Sequence, residues 1–209
     1  MLNADLWATI HSERQALAKD LATLNAAQWA TPSLCGGWTV RDVLAHMTAT
    51  ARMTPPLFIG TFLASGFNFS KVQAAGVAAE SGASSAETLA RFAAEVNSSK
   101  HPPGPNDSWL GETLVHSEDI RRPLGIAHAY PKDAAVQVAN FYKGSNLLIG
   151  AKSRIDGVTL RATDTDWQNG AGPQASGPIM ALVMAMTGRA AALGDLSGDG
   201  VAMLATRCR

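Results

Sequence analysis

Hydrophobic side chains recur at helical spacing over most of the first 150 residues. In the N-terminal segment they share one helix face, which carries Leu6, Ile10, Leu17, Leu21 and Leu24. Such a stripe is typical of a helix that packs against a core. The same reasoning, with prolines and glycines as breaks, predicts further helices at about 39–54, 85–98, 108–122 and 132–149. The Gly/Ala/Ser-rich stretch 60–85 gives no clear boundaries.

The start of the second predicted helix has a local signature. Thr39 is a good N-cap residue, and Asp42 stands three positions later, as in a capping box. This helix is expected to carry His46 and to end where Pro55 and Pro56 interrupt it.

The pattern changes after Gly150. Residues 158–163 alternate with a period of two, and residues 167–172 resemble a second short strand. Pro178 begins a short apolar helix that Gly188 closes, and a last segment covers residues 201–207. We therefore expect a mainly α protein, with a helical bundle domain at 1–150 and a small α+β domain at 151–209.

Composition excludes some classes of function. Seventeen basic and seventeen acidic residues give a formal net charge of zero, so the chain lacks the basic surface of a nucleic-acid binder. No apolar stretch is long enough to span a membrane, and the N-terminal segment lacks a signal-peptide pattern. The two cysteines, Cys35 and Cys208, do not form a disulfide framework. A cytoplasmic protein without a membrane or nucleic-acid partner is the simplest expectation.

Candidate chemistry lies in the predicted helix 108–122. Glu112 and His116 are four residues apart, so their side chains share one helix face. With the distant His46 they offer one carboxylate and two imidazoles, a set that suits a divalent metal and leaves a fourth position open. The alternative is that Glu112 and His116 form an ordinary polar pair at a helix edge and that His46 is structural.

Two sequence motifs contain these residues. Residues 35–46, CGGWTVRDVLAH, resemble the N-terminal signature of the mycothiol-dependent maleylpyruvate isomerase family, part of the wider DinB-like group of metal-binding four-helix bundles. Residues 112–125, ETLVHSEDIRRPLG, resemble the second signature of that family. Residues 163–167, 177–178 and 186–189 are more weakly similar to its small C-terminal domain.

The resemblance implies a fold, a site and an activity. It implies a DinB-like four-helix bundle followed by the small α+β domain, with His46, Glu112 and His116 as ligands of a divalent metal, zinc in the family. Mycothiol would be the thiol cosubstrate and a small-molecule electrophile the other partner. A metal-held thiolate would attack that electrophile, either in a maleylpyruvate-type cis-trans isomerisation or in an S-transfer.

Two further residues are catalytic candidates with open alternatives. Asp119 continues the ligand stripe and can orient a ligand imidazole or carry a proton, or it can simply pair with Arg121 or Arg122. Arg189 can bind a substrate carboxylate through two hydrogen bonds, or it can cap the carbonyls of its own helix. Cys35 is interpreted as structural, because no base neighbours it in the sequence.

A non-catalytic function is the competing hypothesis. The bundle would then hold a metal or a small ligand for sensing or sequestration. A fourth protein ligand from Asp119, Asp42 or Cys35 would close the metal site and distinguish such a protein from an enzyme.

Overall fold

The computed structural model describes residues 3–147 and 149–208. Position 148, at the end of the helix expected over 132–149, lies outside these ranges, as do the outermost positions of the two expected domains. The chain forms two compact units, Met1–His128 and Ala129–Arg209. This division differs from the boundary expected near Gly150. The reason is that the helix beginning at Lys132 packs within the second unit, against the apolar helix that follows Pro178.

The first unit is helical. Its elements are α1 (Asn3–Leu21), α2 (Ala26–Trp29), α3 (Val40–Arg52), α4 (Pro55–Ala64), α5 (Phe69–Glu80), α6 (Ser85–Ala94) and α7 (Asn106–Arg121). Helices α4 and α5 occupy most of the stretch 60–85, for which no boundaries were predicted. Helix α7 begins at Asn106, with Pro105 as its N-cap residue, two positions before the start predicted at about 108.

Four of these helices form a closed bundle. Helix α1 packs against α6 and α7, and α3 packs against the same two helices, so each member has two neighbours. The core between them includes Leu17, Leu44, Met47, Phe92 and Ile120, each fully shielded from solvent. Helix α5 packs on the outside of this bundle, against α3. The predicted four-helix bundle is therefore confirmed.

The N-terminus of α3 is held as its sequence predicts. Asp42 N donates to Thr39 Oγ1, and Thr39 N donates to an Asp42 carboxylate oxygen at 2.9 Å, which completes a capping box. A side chain at Thr39 therefore fixes the start of the helix that carries His46.

The second unit is a small α+β structure, as the sequence predicts. Its elements are α8 (Lys132–Tyr142), α9 (Ala151–Arg154), β1 (Thr159–Ala162), β2 (Gln168–Asn169), β3 (Gln174–Gly177), α10 (Ile179–Met186), the 3₁₀ helix Ala190–Asp195 and α11 (Gly200–Ala205). Strand β1 is central, antiparallel to β2 and parallel to β3. The expected helix end at Ile149 is wrong, because α8 ends at Tyr142.

The end of α10 determines where Arg189 lies. Gly188 adopts a left-handed conformation (φ 91°), its amide donates to Ala185 O, and the Arg189 amide donates to Met184 O. This pair of hydrogen bonds is a Schellman motif, which favours glycine at the left-handed position. Arg189 therefore leaves the helix immediately after its C-terminus.

Within the described ranges, no helix combines the length and the apolar character needed to cross a bilayer.

Candidate metal centre

Two neighbouring helices of the first unit supply the three predicted ligands. His46 lies in the middle of α3, while Glu112 and His116 lie one turn apart on α7. One ligand atom from each residue lies within 4.8 Å of the other two. The two imidazole rings meet edge to face, with centroids 5.1 Å apart and an interplanar angle of 87°. The structure thus brings His46, Glu112 and His116 together in a geometry that a single ion can bridge.

The Glu112 carboxylate is buried without a hydrogen bond. Both of its oxygens are shielded from solvent, and neither has a hydrogen-bond partner among the described residues. Burial raises the pKa of Glu112, against the opposing effects of the charges on His116 and Arg14. The nearby hydroxyls of Thr50 and Thr113 also favour the ionised form, although their geometry falls short of a hydrogen bond. An unpartnered buried carboxylate is costly, and coordination of a cation is one of the few ways to satisfy it.

Asp119 is hydrogen-bonded to one of the ligand imidazoles. Its Oδ2 atom lies 2.9 Å from Nδ1 of His116, three residues earlier on α7, and Asp119 is fully buried. The geometry therefore supports the orienting role of Asp119.

Cys35 joins the same hydrogen-bonded group. Its Sγ lies 3.0 Å from Asp119 Oδ2 and 3.5 Å from His116 Nδ1. Cys35, His116 and Asp119 also form a second group whose ligand atoms are close enough for one metal ion. The sequence interpretation of Cys35 missed these partners, because 84 positions separate it from Asp119.

The two histidines have opposite electrostatic surroundings. Burial, followed by the charge of His116, lowers the pKa of His46 to about 3. Burial also lowers the pKa of His116, but its hydrogen bonds to Asp119 and Cys35, together with their charge, outweigh this effect and raise the pKa to about 10. In the metal-free protein, therefore, His46 is neutral at pH 7 and His116 holds a proton on the side of Asp119.

Arg14 is a further charged group near the site that the sequence did not indicate. It lies on α1, is 1% exposed, and donates through Nη1 to the Ser98 carbonyl at 3.0 Å. Its charge favours the ionised form of Glu112. No local sequence motif indicates Arg14 as a site residue. Its side chain becomes buried through the packing of α1 in the bundle.

Arg189, the other catalytic candidate, belongs to the second unit. Its Nη1 donates to the Thr187 carbonyl at the end of α10, at 3.1 Å. This is the helix-capping contact that the sequence left open as an alternative.

The match to a family model lies within the first unit. Residues 10–100 match the family model described as mycothiol maleylpyruvate isomerase N-terminal domain. This region includes the motif at 35–46 and His46, whereas Glu112 and His116 lie beyond it. No curated protein sequence is significantly similar to the chain.

Two crystal structures share the fold over almost the entire chain. Both are of a mycothiol-dependent maleylpyruvate isomerase, and one is of a variant in which a histidine is replaced by alanine. Each has a TM-score of 0.64 and 12% sequence identity, over 95% of this chain and 93% of the other. The similarity establishes the fold of both units, including the small C-terminal one.

Proposed function

We propose that the chain is a metal-dependent enzyme that uses mycothiol, on the premise that residues 10–100 match the family model described as mycothiol maleylpyruvate isomerase N-terminal domain. The match agrees with the resemblance seen in the first sequence motif. The metal requirement and the reaction are the new parts of the proposal. They depend on the site formed by α3 and α7.

The buried, unpartnered carboxylate of Glu112 is the observation that carries the proposal. It lies beside two imidazoles, within reach of both, and its surroundings otherwise leave its charge poorly satisfied. Two nitrogens and one oxygen are a common ligand set of catalytic zinc sites, with a fourth position open for water or substrate. The residues present therefore fit a divalent metal, and we propose zinc.

The neighbouring residues prepare His46 and His116 for this role. Asp119 accepts a hydrogen bond from Nδ1–H of His116, so Nε2 is the nitrogen left to face His46 and Glu112. His46 is already neutral in the metal-free protein and needs no deprotonation to act as a ligand. A bound divalent ion would supply the acidity that keeps a thiol in its thiolate form at neutral pH.

The proposed chemistry is attack of the mycothiol sulfur on an electrophile. In an isomerase, a carbon–sulfur bond forms at one carbon of a conjugated cis double bond, the resulting single bond rotates, and the same carbon–sulfur bond breaks. In an S-transferase the bond to sulfur is retained and another group leaves the acceptor. Arg189 is our candidate for binding a substrate carboxylate, and Asp119 our candidate for positioning His116 during the reaction.

A non-catalytic metal-binding protein is the alternative, and the second ligand group gives it a specific basis. Cys35 and Asp119 lie close enough to His116 to compete for a metal ion or to close its coordination. Asp42, the third candidate for a closing ligand, is engaged in the capping box with Thr39. A thiol donor from the protein would leave no position for an external thiol.

Metal content and thiol dependence test the proposal together. The full-length chain, purified without chelator or histidine tag, should hold close to one zinc per chain and should accelerate the reaction of mycothiol with an electrophile. His116→Ala should abolish both properties. His11→Ala changes a half-buried histidine of α1 that belongs to neither ligand group, and it should retain both. Metal-free protein that refuses added zinc would contradict the proposal.

Cobalt substitution separates the enzyme from the closed binding site. In the enzyme, added thiol should change the visible spectrum of the cobalt protein, because sulfur enters an open position. A cobalt spectrum that already shows sulfur coordination and does not respond to thiol would favour the binding protein.

A further inference from the structure

A small, partly open cleft lies beside His46, on the side of α3 that faces α5. Its walls come from the second half of α3, from α4 and α5, and from the segment that precedes α7. His46 is part of its lining. The cleft therefore reaches a ligand of the proposed metal site directly.

The lining of this cleft is apolar. Its lining includes the apolar side chains of Met53, Phe58, Phe69 and Val72, and Thr50 and Gln73 add polar groups beside His46. Of the residues that the structure describes, no lysine, arginine, aspartate or glutamate lines the cleft.

The nearest cation on α3 is already paired. Arg52 lies at the end of α3, next to Met53, and binds Glu80 at 2.7 Å and Glu95 at 3.0 Å. The charge of Arg52 is therefore balanced by two carboxylates of the protein, and Arg52 does not line the cleft. Lys71, on α5, is exposed to solvent.

A carboxylate that lay against these walls, away from the metal, would lose hydration and meet no charged side chain of the lining. Such burial is strongly unfavourable, whereas an aromatic or alkyl group would gain from leaving water. Aromatic walls at Phe58 and Phe69 suit a flat ring. We propose that the cleft binds the uncharged, apolar part of the electrophile, so that the substrate class is an aromatic or alkyl electrophile rather than a small dicarboxylate. This inference rests on the proposed function, because only the proposed metal site makes the cleft a substrate pocket.

Gly76 helps to set the width of the cleft. A Cβ at this position would lie 3.0 Å from the Cβ of Ala49, which is tighter than ordinary packing. The glycine thus lets α5 approach α3 closely at the base of the cleft and keeps Phe69 and Val72, on the preceding turns of α5, near His46.

Binding of two unreactive probes to the zinc-loaded full-length chain tests the proposal. The probes are 2-methoxynaphthalene, which is uncharged and aromatic, and maleate, a small dicarboxylate. We expect the Kd of 2-methoxynaphthalene, measured by fluorescence titration, to be at least tenfold lower than the Kd of maleate, measured by calorimetry. Phe69→Ala should weaken binding of the aromatic probe at least fivefold.

A charge introduced into the cleft provides a second, independent variant. Gln73→Arg should lower the Kd of maleate at least tenfold and weaken binding of 2-methoxynaphthalene. Ala75→Arg is the matched control, since it places the same charge on an exposed position of the same helix, and it should leave both constants within twofold. Tighter binding of maleate than of the aromatic probe by the wild-type chain would overturn the proposal, as would aromatic binding insensitive to both Phe69→Ala and Gln73→Arg.

Turnover separates this proposal from the proposed function. 1-Chloro-2,4-dinitrobenzene, with mycothiol, should react faster than maleylpyruvate; its ring carbon gains the sulfur and chloride leaves. If neither electrophile reacts in a zinc- and thiol-dependent way while the probe constants stand as expected, the enzyme proposal fails and the selectivity of the cleft is retained. Faster reaction of maleylpyruvate would overturn the assignment of substrate class alone.

Discussion

Nδ1 of His116 lies 2.9 Å from the buried Asp119 carboxylate, three residues further along the same helix. Because α7 holds both residues on one face, the orientation of the imidazole is fixed within a single element of structure. A carboxylate on the far nitrogen of a ligand histidine selects the tautomer and increases the basicity of the nitrogen that binds metal. Asp119 is therefore expected to affect metal affinity without touching the metal.

Asp119→Asn should weaken zinc binding by about 10- to 100-fold. The amide keeps the shape of the side chain and removes its charge, which is one of the effects that raise the pKa of His116. Competition with a chelator of known affinity measures the change. Asp5→Asn, at an exposed position of α1, is the matched control and should leave the affinity within twofold. Equal affinities for wild type and Asp119→Asn would show that the contact is only structural.

Glu112→Gln should separate metal binding from folding. Removing the carboxylate eliminates an oxygen ligand, so zinc binding should fall at least 100-fold. In metal-free protein, the same change removes a buried carboxylate that makes no hydrogen bond, but it also removes an opposite charge for Arg14 and His116. The free energy of unfolding should therefore stay within about 1 kcal/mol of the wild-type value. Urea denaturation in the presence of chelator measures this quantity.

Glu118→Gln is the control for Glu112→Gln, since it makes the same change on the same helix. Glu118 pairs with Arg122 instead of facing the ligands, and its substitution should preserve zinc binding. A loss of more than about 1 kcal/mol of stability in metal-free Glu112→Gln would mean that the carboxylate is satisfied in the metal-free fold.

Zinc affinity should rise with pH. Histidine binds a metal only as the neutral imidazole, and the pKa of His116 in the metal-free protein is about 10, so zinc must displace its proton at neutral pH. Between pH 6 and 9 the Kd should therefore fall about tenfold per pH unit for the one proton displaced. Calorimetry in two buffers of different ionisation enthalpy counts the proton. A Kd independent of pH over this range would contradict the protonation of His116 in the metal-free protein.

Thr39→Ala should destabilise the first unit by about 1 kcal/mol, because it removes the side-chain oxygen of the capping box at α3. Denaturation in urea measures the loss. Ser70→Ala, at an exposed position in the first turn of α5, should change stability by less than about 0.5 kcal/mol. Similar effects of the two substitutions would show that the cap contributes little.

Local signals in the sequence predicted the elements that carry the ligands. The capping box at Thr39, the prolines around α7 and the spacing of Glu112 and His116 are each contained in a few consecutive residues. They placed two ligand helices correctly to within a few positions. These local signals were enough to predict the candidate site. In a bundle, α3 and α7 need only be neighbours for His46 to lie near Glu112 and His116.

Features that depend on distant partners were not predictable in the same way. Helix α5 is rich in alanine, and Val72 is its one buried residue. Its hydrophobic and polar positions therefore differ too little to show a helical period in the sequence. Strand β3 exists because β1 offers it a parallel partner. The assignment of α8 to the second unit depends on its packing against α10, and the contact of Cys35 with Asp119 depends on how a loop meets α7.

The loop before α3 is attached to α7 at the residue that orients His116. Leu34 N donates to the Asp119 carbonyl at 3.2 Å, next to the Cys35 contact with the Asp119 carboxylate. The same loop leads within a few residues to Thr39 and the start of the His46 helix. The length of this loop therefore helps to set the distance between α3 and α7, the two helices that carry the candidate ligands. Inserting or deleting one residue at Gly36 or Gly37 would alter the metal site while leaving every ligand and every bundle core residue unchanged.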